Sequence, residues 1–128
     1  MDKPVSSLMT FPVRSVGMDD KVDAIERLMT ERDLSWVPVV EPGGAAVGVV
    51  TKSDLLQFHA LRRDPATVAA WLICSYKPIS VEASASVGEV ARLMLQRKLH
   101  HVVVTRAGQM VGVVSALDFV RLLAQDQG

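Results

Sequence analysis

Apolar residues recur along the chain in two rhythms, and each rhythm occurs twice. Val22, Ile25, Leu28 and Met29 are spaced for one face of a helix, as are Val87, Val90, Leu93 and Met94. Each set follows an Asp or Ser able to cap a helix start, and Ser86 with Glu89 has capping-box spacing. The β-branched runs Val13 to Val16 and Ile79 to Val81, just ahead of them, predict strands. Trp36 to Val40 and Ala46 to Thr51 predict a hairpin around a Pro-Gly-Gly turn, and His101 to Thr105 with Met110 to Ser115 repeat it around Ala107 and Gly108. A helix is expected to close each copy, and the connector from about Gln57 to Ser75 to be helical around Pro65, a residue tolerated in a first turn.

The two copies align residue by residue. A shift of 65 lays Ser15 to Val39 over Ser80 to Val104, with Val22/Val87, Leu28/Leu93, Met29/Met94 and Val37/Val102 identical. Once one residue is dropped in the loop holding Pro42, Gly43 and Gly44, the shift becomes 64, and VGVVTKSD (Val47 to Asp54) lies over VGVVSALD (Val111 to Asp118). The lead-ins agree too, Thr10 over Ser75 and Phe11 over Tyr76. The unit is therefore β-α-β-β-α, an α/β (α+β) tandem repeat divided at 1–62 and 63–128. Since about 60 residues make a marginal domain, the copies are expected to pack around a pseudo-two-fold axis with paired clefts between them.

Composition narrows the function classes. Hydrophobic residues make up 49% and charged residues 22% of 128, as in globular proteins. Fourteen Lys plus Arg balance fourteen Asp plus Glu, which removes the broad positive field of a nucleic-acid binder. Arg62 and Arg63 beside Asp64 read as a solvated helix end. Cys74 is the single cysteine, and its neighbours Leu72 and Ile73 suggest a core thiol in a reducing cytoplasm. No leader-like apolar run stands in residues 1–25 and no stretch of about 18 apolar residues occurs anywhere, so a membrane partner is not expected.

The candidate chemistry is the repeated hydroxyl and acid, Thr51-x-x-Asp54 and Ser115-x-x-Asp118. Such a pair can simply cap a helix, the hydroxyl covering a free N–H and the acid favouring the positive helix end. Three features add a binding reading. Gly48 and Gly112 precede the pairs in Gly-Val-Val strands and would let another group approach the backbone. Both copies use Asp where a capping box usually has Glu or Gln. Each pair also stands where a strand ends and a helix begins, and free N–H groups there favour phosphate. The carboxylate could accept hydrogen bonds from a ribose diol, so capping and binding can coexist.

With GVVTKSD and GVVSALD closing two copies of strand, helix, hairpin and helix, the chain from about Val5 to Leu123 resembles a pair of CBS domains, named after cystathionine β-synthase, together called a Bateman module. The resemblance implies a regulatory module binding AMP, ADP, ATP or S-adenosylmethionine in clefts between the copies. By position, Asp54 and Asp118 would hold ribose hydroxyls, and Thr51 and Ser115 would approach phosphate. Thr10 to Val13 and Ser75 to Ile79 would line the adenine pocket with Gly48, Val49, Gly112 and Val113. His100 and His101 match positions of phosphate-contacting basic residues that reach the opposite copy's cleft, where the first copy has Ser35 and Trp36. The Thr51/Asp54 cleft is accordingly expected to take the more negatively charged ligand. Val103 in place of Pro38 suggests a reshaped second pocket.

Other readings are weaker. His59, His100 and His101 lack metal-ligand spacing, and adjacent strand histidines point to opposite faces. GGAAVG at Gly43 to Gly48 lacks the middle glycine, the Lys-Ser/Thr and the following helix of a phosphate-binding loop. No activating motif accompanies Cys74, and Met9, Met29 and Met94 fall on apolar helical positions that suggest packing. Neither a metal nor catalysis is expected. An alternative is a ligand-free scaffold that forms a homodimer through Leu55 to Leu61 and Phe119 to Leu123, or engages an effector protein.

Overall fold

The computed structural model describes residues 1–75 and 78–127, the side chains of 126 and 127 excepted, so Tyr76 lies outside the described residues. A short 3-10 turn, Val5–Ser7, leads the chain. It is followed by β1 (Val16–Gly17), α1 (Val22–Glu31), β2 (Trp36–Val40), β3 (Ala46–Thr51) and α2 (Lys52–Ala60). After α3 (Ala70–Ile73) the order repeats as β4 (Ser80–Glu82), α4 (Val87–Arg97), β5 (His101–Arg106), β6 (Gln109–Ser115) and α5 (Ala116–Gln127). Two three-stranded sheets result, ordered β1-β2-β3 and β4-β5-β6. In each, the middle strand runs parallel to the first and antiparallel to the third.

The middle strands are continuous apolar runs because both faces are covered. Val37, Pro38 and Val39 are buried in one, and Val102, Val103 and Val104 in the other. Ile25, Met29, Val37, Val39 and Val50 pack one core, and Val5, Val90, Met94, Val102, Val104 and Val114 the other.

Space and sequence divide the chain differently. One compact unit is Arg14–Pro78, and the other joins Met1–Val13 to Ile79–Gly128. The N-terminal segment belongs with the second repeat because Val5 is fully buried in that core and its N–H donates to Ala85 O at 2.7 Å. Conversely, the connector completes the first repeat. Val22 N–H donates to Val68 O at 2.9 Å, and Ser75 N–H to Val49 O at 2.8 Å.

Several local expectations need correction. The first strand is Val16–Gly17 and does not reach back to Val13. In the second unit Val103 N–H donates to Ile79 O at 3.0 Å and opens a three-residue pairing. The corresponding Pro38 has no N–H, so pairing begins one residue later, at Val16 with Val39. Helix α1 has Lys21 as its N-cap residue and no side-chain cap, and Asp20 instead accepts Gly17 N–H at 2.7 Å. Around Pro65 the connector is turn and not helix. Arg62 is left-handed at φ 55°, and Asp64 accepts Ala66 N–H at 2.9 Å, which holds a local turn. Helix returns only at Ala70–Ile73. Met9 lies outside any helix, and Cys74 is half-buried rather than a core thiol.

The β5–β6 turn consists of Ala107 and Gly108, both at positive φ (54° and 81°), as a two-residue turn between twisted strands demands. Alanine is strained there, whereas asparagine tolerates the left-handed region. Ala107→Asn is expected to raise stability by about 0.5–1 kcal/mol, measured by urea unfolding.

Candidate functional site

Each unit ends its third strand at a hydroxyl and starts a helix there. Thr51 is extended (φ −114°, ψ 167°) and caps α2. Its hydroxyl accepts Asp54 N–H at 3.2 Å, while Asp54 Oδ2 accepts Thr51 N–H at 2.8 Å and the Thr51 hydroxyl at 3.0 Å. The second unit repeats the arrangement. Ser115 Oγ accepts Asp118 N–H at 3.3 Å, and Asp118 Oδ2 accepts Ser115 N–H at 2.8 Å and the Ser115 hydroxyl at 3.1 Å. Both pairs are thus complete capping boxes. The two bonds that each aspartate accepts from its cap residue fall on a single carboxylate oxygen, Oδ2.

That leaves Oδ1 outside the cap in both units. Asp54 Oδ1 accepts the Ser75 hydroxyl at 2.9 Å, and Asp118 Oδ1 faces Arg121 at 3.9 Å. Ser75 stands 21 residues from Asp54, too far apart in the chain for the sequence to pair them, whereas Asp118 and Arg121 have the i, i+3 spacing of helix neighbours. Loss of the cap alone has a bounded cost, so Thr51→Ala is expected to lower stability by about 0.5–2 kcal/mol in chemical denaturation.

The glycines have a specific reason. A β-carbon at Gly48 would lie 2.8 Å from Cys74 Sγ and 3.1 Å from Ser75 O. At Gly112 it would lie 2.8 Å from Met9 Cγ. The group brought close to each Gly-Val-Val strand is therefore the chain's own lead-in. Each lead-in also bridges the strand through its backbone: Ser75 pairs with Val49, and Thr10 with Val113. Sequence reasoning had named Thr10, Ser75, Val49 and Val113 but not Cys74 or Met9 as their wedges. Val13 is half-buried at the end of its unit's N-terminal segment, and Ile79 packs against that unit's core.

Burial pushes the Cys74 thiol above its usual range, with a backbone hydrogen bond opposing and the Asp54 charge adding, so it stays protonated and a poor nucleophile. His101 opposes Ser115 across β5 and β6, and His100 O accepts Ala116 N–H at 2.9 Å. Burial lowers the His101 pKa, the His100 charge lowers it further, and Asp118 opposes. A histidine with a depressed folded pKa takes up its proton more readily when unfolded. Its unfolded state is therefore favoured as pH falls through about 6.5 toward the lower folded value. The melting temperature should drop over that window, and His101→Gln should flatten the drop.

Among the described residues no three His, Cys, Asp or Glu side chains gather as metal ligands, and no helix is long and apolar enough to cross a membrane.

Comparison with known proteins places this geometry. The family model for the CBS domain matches residues 5–60 and 72–125. An uncharacterised protein of Bacillus subtilis, YlbB, is 31% identical over 89% of this chain and 78% of its own length. The CBS domain of a CBS-domain-containing membrane protein from Sphaerobacter thermophilus superposes with a TM-score of 0.82 at 25% identity, covering 94% of this chain and 88% of that one. CBSX2, solved in complex with AMP, superposes with a TM-score of 0.83 at 24% identity, covering 98% and 99%. The chain spans about a third or less of two other curated relatives. With its two capping-box aspartates at matching strand ends, the chain belongs to the CBS-domain family and carries two CBS domains in tandem.

Proposed function

We propose that the chain is a regulatory module that binds adenosine-containing ligands, AMP, ADP, ATP or S-adenosylmethionine, and has no catalytic role. The observation that carries this reading is the division of labour in the two carboxylates, whose Oδ2 caps a helix while Oδ1 lies outside the cap. A ribose diol supplies hydroxyl donors for such an acceptor, and bonds to a charged partner are the stronger kind. The positive ends of α2 and α5 at Thr51 and Ser115 favour a phosphate through the helix dipole, while the N–H groups of Thr51, Lys52 and Asp54, and of Ser115, Ala116 and Asp118, are already hydrogen-bonded. CBSX2 with AMP bound supports the ligand class. Signalling then follows from differential affinity, since a ligand shifts a conformational or assembly equilibrium only by its preference for one state.

Calorimetric titration with AMP, ADP, ATP, S-adenosylmethionine and 2′,3′-dideoxyadenosine monophosphate tests the reading. Saturable binding of one or more of the first four, with the dideoxy compound at least tenfold weaker than AMP, is expected. If the dideoxy compound matches AMP, the carboxylates do not hold the ribose.

One observation favours self-association beside this role. Leu117, Val120 and Leu123 are 53–58% exposed on α5, and Leu56 is exposed on α2. An apolar groove of about 350 Å³ between α4 and α5 is lined by Met94, Leu95, Leu99, Phe119 and Leu123. Sedimentation should show a homodimer that Val120→Glu with Leu123→Glu converts to monomer. A wild-type monomer at high concentration would remove the dimer and leave an effector protein as the partner.

A further inference from the structure

The two aspartates are equivalent by sequence but not by what already occupies them. A carboxylate offers about four acceptor positions. The Thr51 N–H and hydroxyl take two at Asp54, and the Ser75 hydroxyl takes another, bridging Oδ1 at 2.9 Å and Oδ2 at 3.0 Å. At Asp118 the Ser115 N–H and hydroxyl take two. The residue aligned with Ser75 is Thr10, and its bonds to the sheet come from the backbone, with its N–H donating to Val113 O at 2.8 Å and its carbonyl accepting Val113 N–H at 3.2 Å. Among the described residues no hydrogen bond joins Thr10 to Asp118. Among the described residues two acceptor positions therefore stay outside hydrogen bonds at Asp118, with Arg121 Nη1 facing Oδ1 only at 3.9 Å, enough for a diol, against about one at Asp54.

Ser75 is also fixed in place. Its N–H donates to Val49 O at 2.8 Å, and Cys74 beside it is wedged over Gly48. The backbone cannot withdraw without breaking the bridge, so a ligand at Asp54 must turn the Ser75 hydroxyl aside.

We infer that Ser75 is a specificity-determining residue that competes with the ligand for Asp54, making the Asp54 unit the weaker and the Asp118 unit the tighter adenosine site. The inference rests on the adenosine-binding reading above. Asp118 is also the one charged side chain among the described residues that is buried, at 8% exposure. Hydrogen bonds to a desolvated carboxylate are stronger than to a wetted one.

The test uses AMP and calorimetry on the full chain. In an Asp118→Ala background, which leaves the Asp54 unit alone, Ser75→Ala should tighten AMP binding by about tenfold, the weight of one competing bond to a charged acceptor. Ser75→Thr, which keeps the hydroxyl, should leave it within about twofold. A melting curve of each variant identifies any that fails to fold, and for such a variant Ser75→Gly supplies the same loss of hydroxyl. Unchanged or weaker AMP binding in folded Ser75→Ala would overturn the competition while leaving the adenosine reading intact. Two equal sites in the wild type would do the same. No AMP binding in the wild type or any Ser75 variant would overturn both.

Discussion

Asp118→Ala is expected to weaken AMP binding in its unit by about 10- to 150-fold. The range follows from the net loss of one hydrogen bond to a charged acceptor, about 1.5–3 kcal/mol, with tenfold corresponding to about 1.4 kcal/mol. The same substitution removes a cap that holds Ser115 N–H at 2.8 Å, so a stability loss of about 0.5–2 kcal/mol should accompany it. The two effects are separable. Asp118→Asn keeps an acceptor oxygen and should retain more affinity than alanine, while Ser115→Ala removes the capping hydroxyl and leaves the carboxylate in place. If aspartate only capped the helix, the alanine variant would lose stability and change no titration.

Gly48→Ala should destabilise the fold by about 1–3 kcal/mol, the usual cost of overpacking, seen as a melting point several degrees lower. The added carbon meets Cys74 Sγ at 2.8 Å and Ser75 O at 3.1 Å, and the second of these is backbone pinned to Val49. It cannot move without loosening the bridge that carries the Ser75 hydroxyl to Asp54. Gly112→Ala should cost less, because its obstacle is the flexible Met9 side chain. A double-mutant cycle of Gly48→Ala with Cys74→Ala should show coupling of about 0.5–1 kcal/mol, since removing Sγ relieves the closest clash and leaves the carbonyl. Additive effects would mean that the strain lies elsewhere.

The first hairpin and the capping boxes were legible in the sequence for a physical reason. Trp36–Val40 and Ala46–Thr51 matched their expected bounds because β-branched residues flank an unmistakable Pro-Gly-Gly turn, and the hydroxyl-to-acid spacing is local geometry. The exchange of lead-ins was not legible. A register of 65 aligns Thr10 with Ser75 but cannot say that Thr10 bridges Val113 and Ser75 bridges Val49, since those pairs are far apart in the chain. Pro38 is plain in the sequence, yet its consequence, a first strand shortened by the missing donor, needs the strand pairing to be known. The wedges over Gly48 and Gly112 were hidden for the same reason: a small residue signals a close approach without naming what approaches.

The most direct test of adenosine binding through the two carboxylates is the melting temperature with and without AMP, in the wild type and in Asp54→Ala/Asp118→Ala. At about 100 times the dissociation constant a ligand adds about 2.7 kcal/mol of stability. The account predicts a rise of several degrees in the wild type and none in the double variant. A wild-type melting curve indifferent to millimolar AMP, or an equal rise in both proteins, would contradict it.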